Sequence, residues 1–197
     1  MNPFGGDRTL AQEFLRATRK GRARDTLRQA SEVLRGRWYL RRTTSPGNAR
    51  LRGRVKVTNN GRIVLGEKLR LDGTTVPIEL VANHGTLSIG DRTYINYGTN
   101  ISSTSAVTIG KNCLIGQYCI IMDDDYHDAE DREKPGPRAP VVIEDDVWLG
   151  ARVIVMQGSH IGAGAVIGAN SVVRGYIPPF TVAAGSPAKV VRELKKR

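Results

Sequence analysis

Between Ile143 and Val173 an isoleucine, leucine or valine recurs at every sixth residue: Ile143, Leu149, Val155, Ile161, Ile167 and Val173. Four places after each aliphatic comes a small or β-branched residue, at Val147, Val153, Ser159, Ala165 and Ser171. Glycine directly follows three of the aliphatics, at Gly150, Gly162 and Gly168. A period of six is neither the 3.6 of a helix nor the alternation of a half-buried strand. It is the repeat of a parallel β-helix, in which each hexad supplies one side of a coil and three hexads close it. With 22 glycines and only 6% aromatic residues, the chain suits a core of stacked aliphatic and small side chains with frequent tight turns.

The same register appears upstream at Ile89, Ile95 and Ile101, and after two extra residues at Ile109, Ile115 and Ile121. Residues 89–178 are therefore read as the coil proper, with Ile89 stacked on Ile109 and Ile143 on Ile161. Residues 51–88 carry short strand signals without a clean register, an irregular β section that begins the coil. Residues 1–50 read as a basic helical segment. One helix is expected over Thr9 to Lys20, with Leu10, Phe14 and Leu15 as its stripe, broken by Gly21. A second runs from Asp25 to Leu40 with Leu27, Ala30, Leu34 and Trp38 on one face. Ser45-Pro46-Gly47-Asn48 marks a loop. Residues 179–197 form a crossing and a short basic tail, helical from Ala188.

Charge divides the chain. Residues 1–54 hold 14 Lys and Arg against 4 Asp and Glu, while the other 143 residues hold 16 against 15. An anionic partner, whether membrane surface, nucleic acid or acidic polymer, would meet the leader, and the same arginines also serve as a plain solvated face. No apolar run reaches membrane-spanning length and no signal peptide is apparent, so a cytoplasmic protein is expected, with a weak contact at the inner membrane face open to it. Cys113 and Cys119 fall at small-residue positions of their hexads and read as buried thiols.

The repeat breaks once. Ile121 and Ile143 are 22 residues apart where six are due, so about 16 residues leave the wall, and a long excursion from a regular ladder usually has a functional reason. It carries His127, one of three histidines; His160 is the outward residue of a regular hexad and His84 lies upstream. Asp125, Asp128 or a backbone carbonyl can orient the His127 ring. The acids Asp123 to Asp125 lack the spacing of a metal site, and no metal is expected. Asn96 occupies a corner where other hexads have glycine, as a turn residue or as a polar contact. Trp148 projects from the wall toward a neighbouring subunit or a ligand.

Residues 89–194 resemble the hexapeptide-repeat acyltransferases, above all the galactoside and maltose O-acetyltransferase group and its polysaccharide-modifying relatives. The shared marks are V-W-L-G at 147–150, I-G-A-N-S-V-V at 167–173, I-P-P at 177–179 and A-G-S-P-A-K-V-V-R at 184–192, with Tyr94-Ile95-Asn96-Tyr97 and Asp123-Asp124-Asp125-Tyr126-His127 upstream. The resemblance implies a mainly β fold, a single-stranded left-handed parallel β-helix, in a homotrimer with active sites between subunits. It implies acetyl-CoA as donor and a sugar or saccharide acceptor, with an amino or nucleotide sugar as the close alternative.

Carried over residue by residue, it makes His127 the general base and Asn96 a contact in the acceptor or oxyanion region. Trp148 lines the donor site. The bare corners Gly150-Ala151 and Gly168-Ala169 flank the pantetheine arm, and Lys189 and Arg192 lie near the adenosine phosphates. Where relatives read Thr-Lys, this chain has Arg174-Gly175, which shifts the cation by one residue. Asp123, Asp125, Tyr126 and Arg138 of the 122–140 loop face the acceptor. A γ-class carbonic anhydrase and a non-enzymatic anion-binding module remain the competing readings; the former needs three histidines around a metal.

Overall fold

The structure, a computed structural model, describes residues 8–45 and 47–195, with side chains described from residue 24 onward. The hexads build a parallel β-helix of about seven turns, the first and last incomplete. One wall stacks Arg62–Leu65, Thr86–Ile89, Ala106–Ile109, Val141–Ile143, His160–Ile161 and Tyr176–Ile177. The second stacks Tyr94–Ile95, Leu114–Ile115, Trp148–Leu149, Val166–Ile167 and Thr181–Gly185, and the third Asn100–Ser103, Ile120–Met122, Ile154–Val155 and Val172–Val173. The aliphatics meet in the expected register, Ile89 beside Ile109 and Ile143 beside Ile161.

Two features let successive coils approach at strand spacing even at the corners. Glycine is needed where a side chain would strike the next coil: a Cβ on Gly150 would sit 2.7 Å from the Ala169 nitrogen and 2.9 Å from the Ile167 oxygen. The small residues, meanwhile, donate to corner carbonyls that the wall ladders do not reach. Thr93 Oγ1 donates to Gly110 O at 2.8 Å and Thr99 Oγ1 to Gly116 O at 3.0 Å. Cys113 Sγ and Cys119 Sγ do the same to Glu144 O and Gly150 O, at 3.1 and 3.2 Å. The cysteines are thus buried thiols with a bonding role, and burial pushes both up to about 11.

Four expectations need correction. The section 51–88 is not irregular: Arg50–Asn59 and Arg70–Ala82 are long parallel strands, each bending across two walls. Gly53 (φ 71°) and Gly73, which lies against the Arg54 backbone, let them turn the corner without breaking. Gly21 does not divide the leader, which is one helix, α1, over Arg8–Tyr39. A lone glycine costs a helix only about 1 kcal/mol and ends it only with the cap geometry to match.

The apolar face of α1 also faces the other way: Leu27, Ala30, Leu34 and Trp38 are exposed, whereas Glu32, Gly36 and Leu40 are buried. The expected stripe of Leu10, Phe14 and Leu15 falls where side chains are not described, as Pro46 does. Finally, the tail is a strand. Ala188–Glu193 pairs antiparallel with Thr181–Gly185, since Gly185-Ser186-Pro187 makes the turn and Val190-Val191 favour an extended chain.

Replacing Gly150 by Val should destabilise the fold by about 1–3 kcal/mol, read from the denaturant midpoint, because the strained neighbours are backbone. Both thiols should resist an aromatic disulfide reagent until the chain is unfolded. Their pKa values are raised from 9.0 to about 11, so the unfolded thiols ionise first and stability falls as pH rises through that window. A Cys113→Ala/Cys119→Ala variant should show a shallower alkaline fall.

Candidate active site

The excursion leaves the third wall after Met122 and rejoins the first at Val141. Its base is pinned inward. Asp123 is buried, and its carboxylate accepts Thr104 N at 2.7 Å, Ser105 N at 2.8 Å and Ser103 Oγ at 3.1 Å. That spends Asp123 on the preceding coil and turns it away from any acceptor. Asp124, also buried, accepts Tyr126 N at 2.7 Å and pairs with Arg138 Nε at 2.9 Å. The Asp124–Arg138 bridge pinches the loop closed, so Arg138 is first a clasp. Tyr126 takes a left-handed backbone (φ 62°) and reaches back to Ser102 Oγ at 2.8 Å.

His127 stands exposed at the outer end of this frame. Its backbone N–H donates to Asp125 O at 2.7 Å, and its Nδ1 lies 2.9 Å from Arg132 O. A carbonyl oxygen only accepts, so Nδ1 carries the proton of the neutral ring and Nε2 presents a lone pair outward. The orienting group is thus a backbone carbonyl, not Asp125 or Asp128. Asp128 instead accepts the N–H groups of Glu130 and Asp131, both at 2.9 Å, which hold its carboxyl below the usual range and shape the turn delivering Arg132 O. Gly136 is a contributor that the sequence did not disclose: a Cβ there would lie 2.5 Å from the His127 oxygen and 2.8 Å from its carbonyl carbon. Only a three-dimensional loop makes that glycine matter.

Asn96 sits at the corner between the second and third walls. It is not the left-handed residue of its turn, a place taken by Gly98 (φ 67°). Its Oδ1 accepts Tyr97 N at 2.9 Å, and its Nδ2 has Gln117 Oε1 at a long 3.5 Å, which leaves that donor weakly engaged. The third wall separates Asn96 from the corner where the His127 loop departs, so one chain does not bring the two together.

On the second wall, Trp148 is 52% exposed between Leu114 and Val166. Below it opens a groove of about 970 Å³ whose floor is Trp148, Val166 and Val182 and whose far end carries Arg192 and Lys195. Arg192 is brought there by the terminal hairpin, opposite Val182. Val166 and Val182 occupy the outward place of the same wall as Trp148, a hexad position that the sequence did offer. Gly150-Ala151 and Gly168-Ala169 lie along the other edge of this wall, and Gly150 is already explained by coil stacking. Lys189 pairs opposite Ala184, and Arg174 follows the third wall; neither lines the groove.

His160 Nε2 lies 2.7 Å from Glu144 Oε1, and that bond together with Ala163 N holds the Glu144 carboxyl below its usual range. Among the described residues no three His, Cys, Asp or Glu side chains converge as metal ligands. Within one chain, His84 (a left-handed corner residue, φ 69°), His127 and His160 do not gather at one point.

The chain matches two known repeat families: Bacterial transferase hexapeptide (six repeats) over residues 140–175, and Hexapeptide repeat of succinyl-transferase over 106–121. It is 37% identical over 154 residues to the putative lipopolysaccharide biosynthesis O-acetyl transferase WbbJ of Escherichia coli K12, covering 70% of this chain and 74% of that one. It is 36% identical over 113 residues to the galactoside O-acetyltransferase of the same organism, covering 56% of each. Against several other curated acetyltransferases the chain spans 34–58% of their length. Among solved structures, the hexapeptide-repeat acetyltransferase VCA0836 of Vibrio cholerae aligns with a TM-score of 0.53 at 27% identity, over 91% of this chain and 90% of that one. With its coil, its motifs and a relative aligned over most of both lengths, the chain belongs to the hexapeptide-repeat acyltransferase family.

Proposed function

We propose that the protein transfers an acetyl group from acetyl-CoA to a hydroxyl of a saccharide, with His127 as general base. The observation that carries this reading is the fixed tautomer: Nδ1–H is spent on Arg132 O, and Nε2 faces outward from a loop anchored to rigid coil. Nε2 takes the acceptor hydroxyl proton as the oxygen attacks the thioester carbonyl. The tetrahedral intermediate collapses, the C–S bond breaks, and the departing thiolate recovers a proton from the imidazolium.

The groove on the second wall suits the donor. Trp148, Val166 and Val182 offer an apolar track for the pantetheine arm, and Arg192 and Lys195 offer cations for the phosphates. Gly150, Ala151, Gly168, Ala169, Lys189 and Arg174 stand outside that groove and are assigned no donor contact. Because Asn96 and His127 lie on different corners, a site that uses both needs two copies, in keeping with a homotrimer whose active sites fall between subunits. There the Asn96 Nδ2–H of one copy can face the oxyanion or acceptor held beside His127 of another. Asp125 and Tyr126, which precede the base in the loop, are assigned to the acceptor. WbbJ and the galactoside enzyme are both O-acetyltransferases by name, which favours a hydroxyl over an amine.

Incubation with acetyl-CoA and a panel of saccharides, read by thiol release, tests the activity. His127→Ala should lower kcat by about 10²–10⁴-fold with oligomer size and circular dichroism unchanged; near-parental turnover would remove His127 from the mechanism. Trp148→Ala and Arg192→Ala should each raise KM for acetyl-CoA by about tenfold, on the order of 1.4 kcal/mol. The Arg192 effect should shrink at high salt.

A further inference from the structure

The outer face of helix α1 has no part in the fold or in the site. The helix docks on the first coils by its other side. There Gly36 meets the Ala49 carbonyl so closely that no Cβ fits, and Leu40 is buried. Glu32, 5% exposed, receives two bonds from Arg50, at 3.0 and 2.8 Å. Arg37 Nε donates to Gly47 O at 2.9 Å. Opposite this face Leu27, Leu34 and Trp38 are 71%, 64% and 66% exposed, in one row with Ala30 at helical spacing. Arg24, Arg28 and Arg35 flank the row on one side, and Arg37 and Arg41 on the other. Arg41 lies 4.6 Å over the Trp38 ring. The acids of this stretch are already engaged: Asp25 stands 3.4 Å from Arg28, and Glu32 is buried under Arg50.

We infer that this face docks on an anionic lipid bilayer, with α1 lying in the plane of the membrane surface. An apolar row ending in tryptophan and bordered by arginines matches the acyl and headgroup layers of such a surface at once. A soluble polyanion would use the arginines but leave Leu27, Leu34 and Trp38 in water. Pairing with the same face of a second copy would bury the row but set one arginine border against another. No helix among the described residues is long and apolar enough to cross a membrane, so the face is assigned to the surface.

Flotation of the full chain with phosphatidylcholine vesicles, with and without phosphatidylglycerol, tests the inference. Binding is expected only with phosphatidylglycerol present, and it should weaken as salt rises. Leu27→Ser/Leu34→Ser/Trp38→Ala, which keeps the net charge, should weaken partitioning by about tenfold or more. Arg24→Gln/Arg28→Gln/Arg35→Gln should weaken it as well. Circular dichroism confirms that each variant is folded. Failure of the parent chain to bind phosphatidylglycerol vesicles overturns the inference. So does undiminished binding by the apolar triple variant, which would mean charge alone acts. A smaller oligomer for that folded variant would assign the face to a second copy instead.

Discussion

The fold depends on keeping successive coils at strand spacing around the whole perimeter. Most wall strands are only two to four residues long, so each coil is held to the next by a few backbone bonds at a time. The corners, where the chain turns out of the ladder, are the weak places. Here Gly116, Gly150 and Gly162 allow backbone to meet backbone, and Thr93, Thr99, Cys113 and Cys119 cap the carbonyls left over. Each such bond contributes only about 1 kcal/mol net, but an unmet buried carbonyl would cost more. The inward positions and these glycine, threonine and cysteine corners are thereby committed to structure. Function is left to the outward positions, to a corner with a side chain to spare such as Asn96, and to whatever the chain inserts between hexads.

That division makes the prism a ruler. The base of the His127 loop is fastened through Asp123 to residues 103–105 of the preceding coil, and Tyr126 reaches Ser102 on that same coil. The groove proposed for the donor begins at Trp148 and passes Val166 and Val182 to Arg192. On the reading proposed above, a thioester with its phosphates at Arg192 would carry its acyl group toward the Trp148 end of that groove. Rigid coil sets the height of each group, and the loop supplies only reach and orientation.

The sequence disclosed whatever was periodic. The stacking of Ile89 on Ile109 and Ile143 on Ile161 could be read directly, because one inward aliphatic per hexad leaves no other register. The break at 122 could be read for the same reason. What lay inside the break could not. Asp123 resembles its neighbours in an acidic run, yet it is the one facing inward to satisfy three donors. Arg132 acts through a carbonyl that every residue has. Gly136 matters only because the loop folds His127 over it. In the C-terminal stretch, Ala188 to Glu193 has acceptable helix formers, and the turn at Gly185-Ser186-Pro187 overrode them.

The leader shows why an apolar stripe does not by itself identify a buried face. A helix set against the open end of a rigid coil must satisfy what that end presents. Here the end presents the Ala49 carbonyl and the guanidinium of Arg50. Gly36 answers the first by having no side chain, and Glu32 answers the second with a carboxylate that is itself nearly buried. A leucine at either place would clash or leave Arg50 unpaired at a half-buried site. Close approach and charge pairing therefore chose the docking side, and the bulkier residues Leu27, Leu34 and Trp38 were turned outward. An outward apolar row is a standing cost in water, so its persistence beside a dense arginine border makes an amphipathic surface the more economical account than a misplaced core.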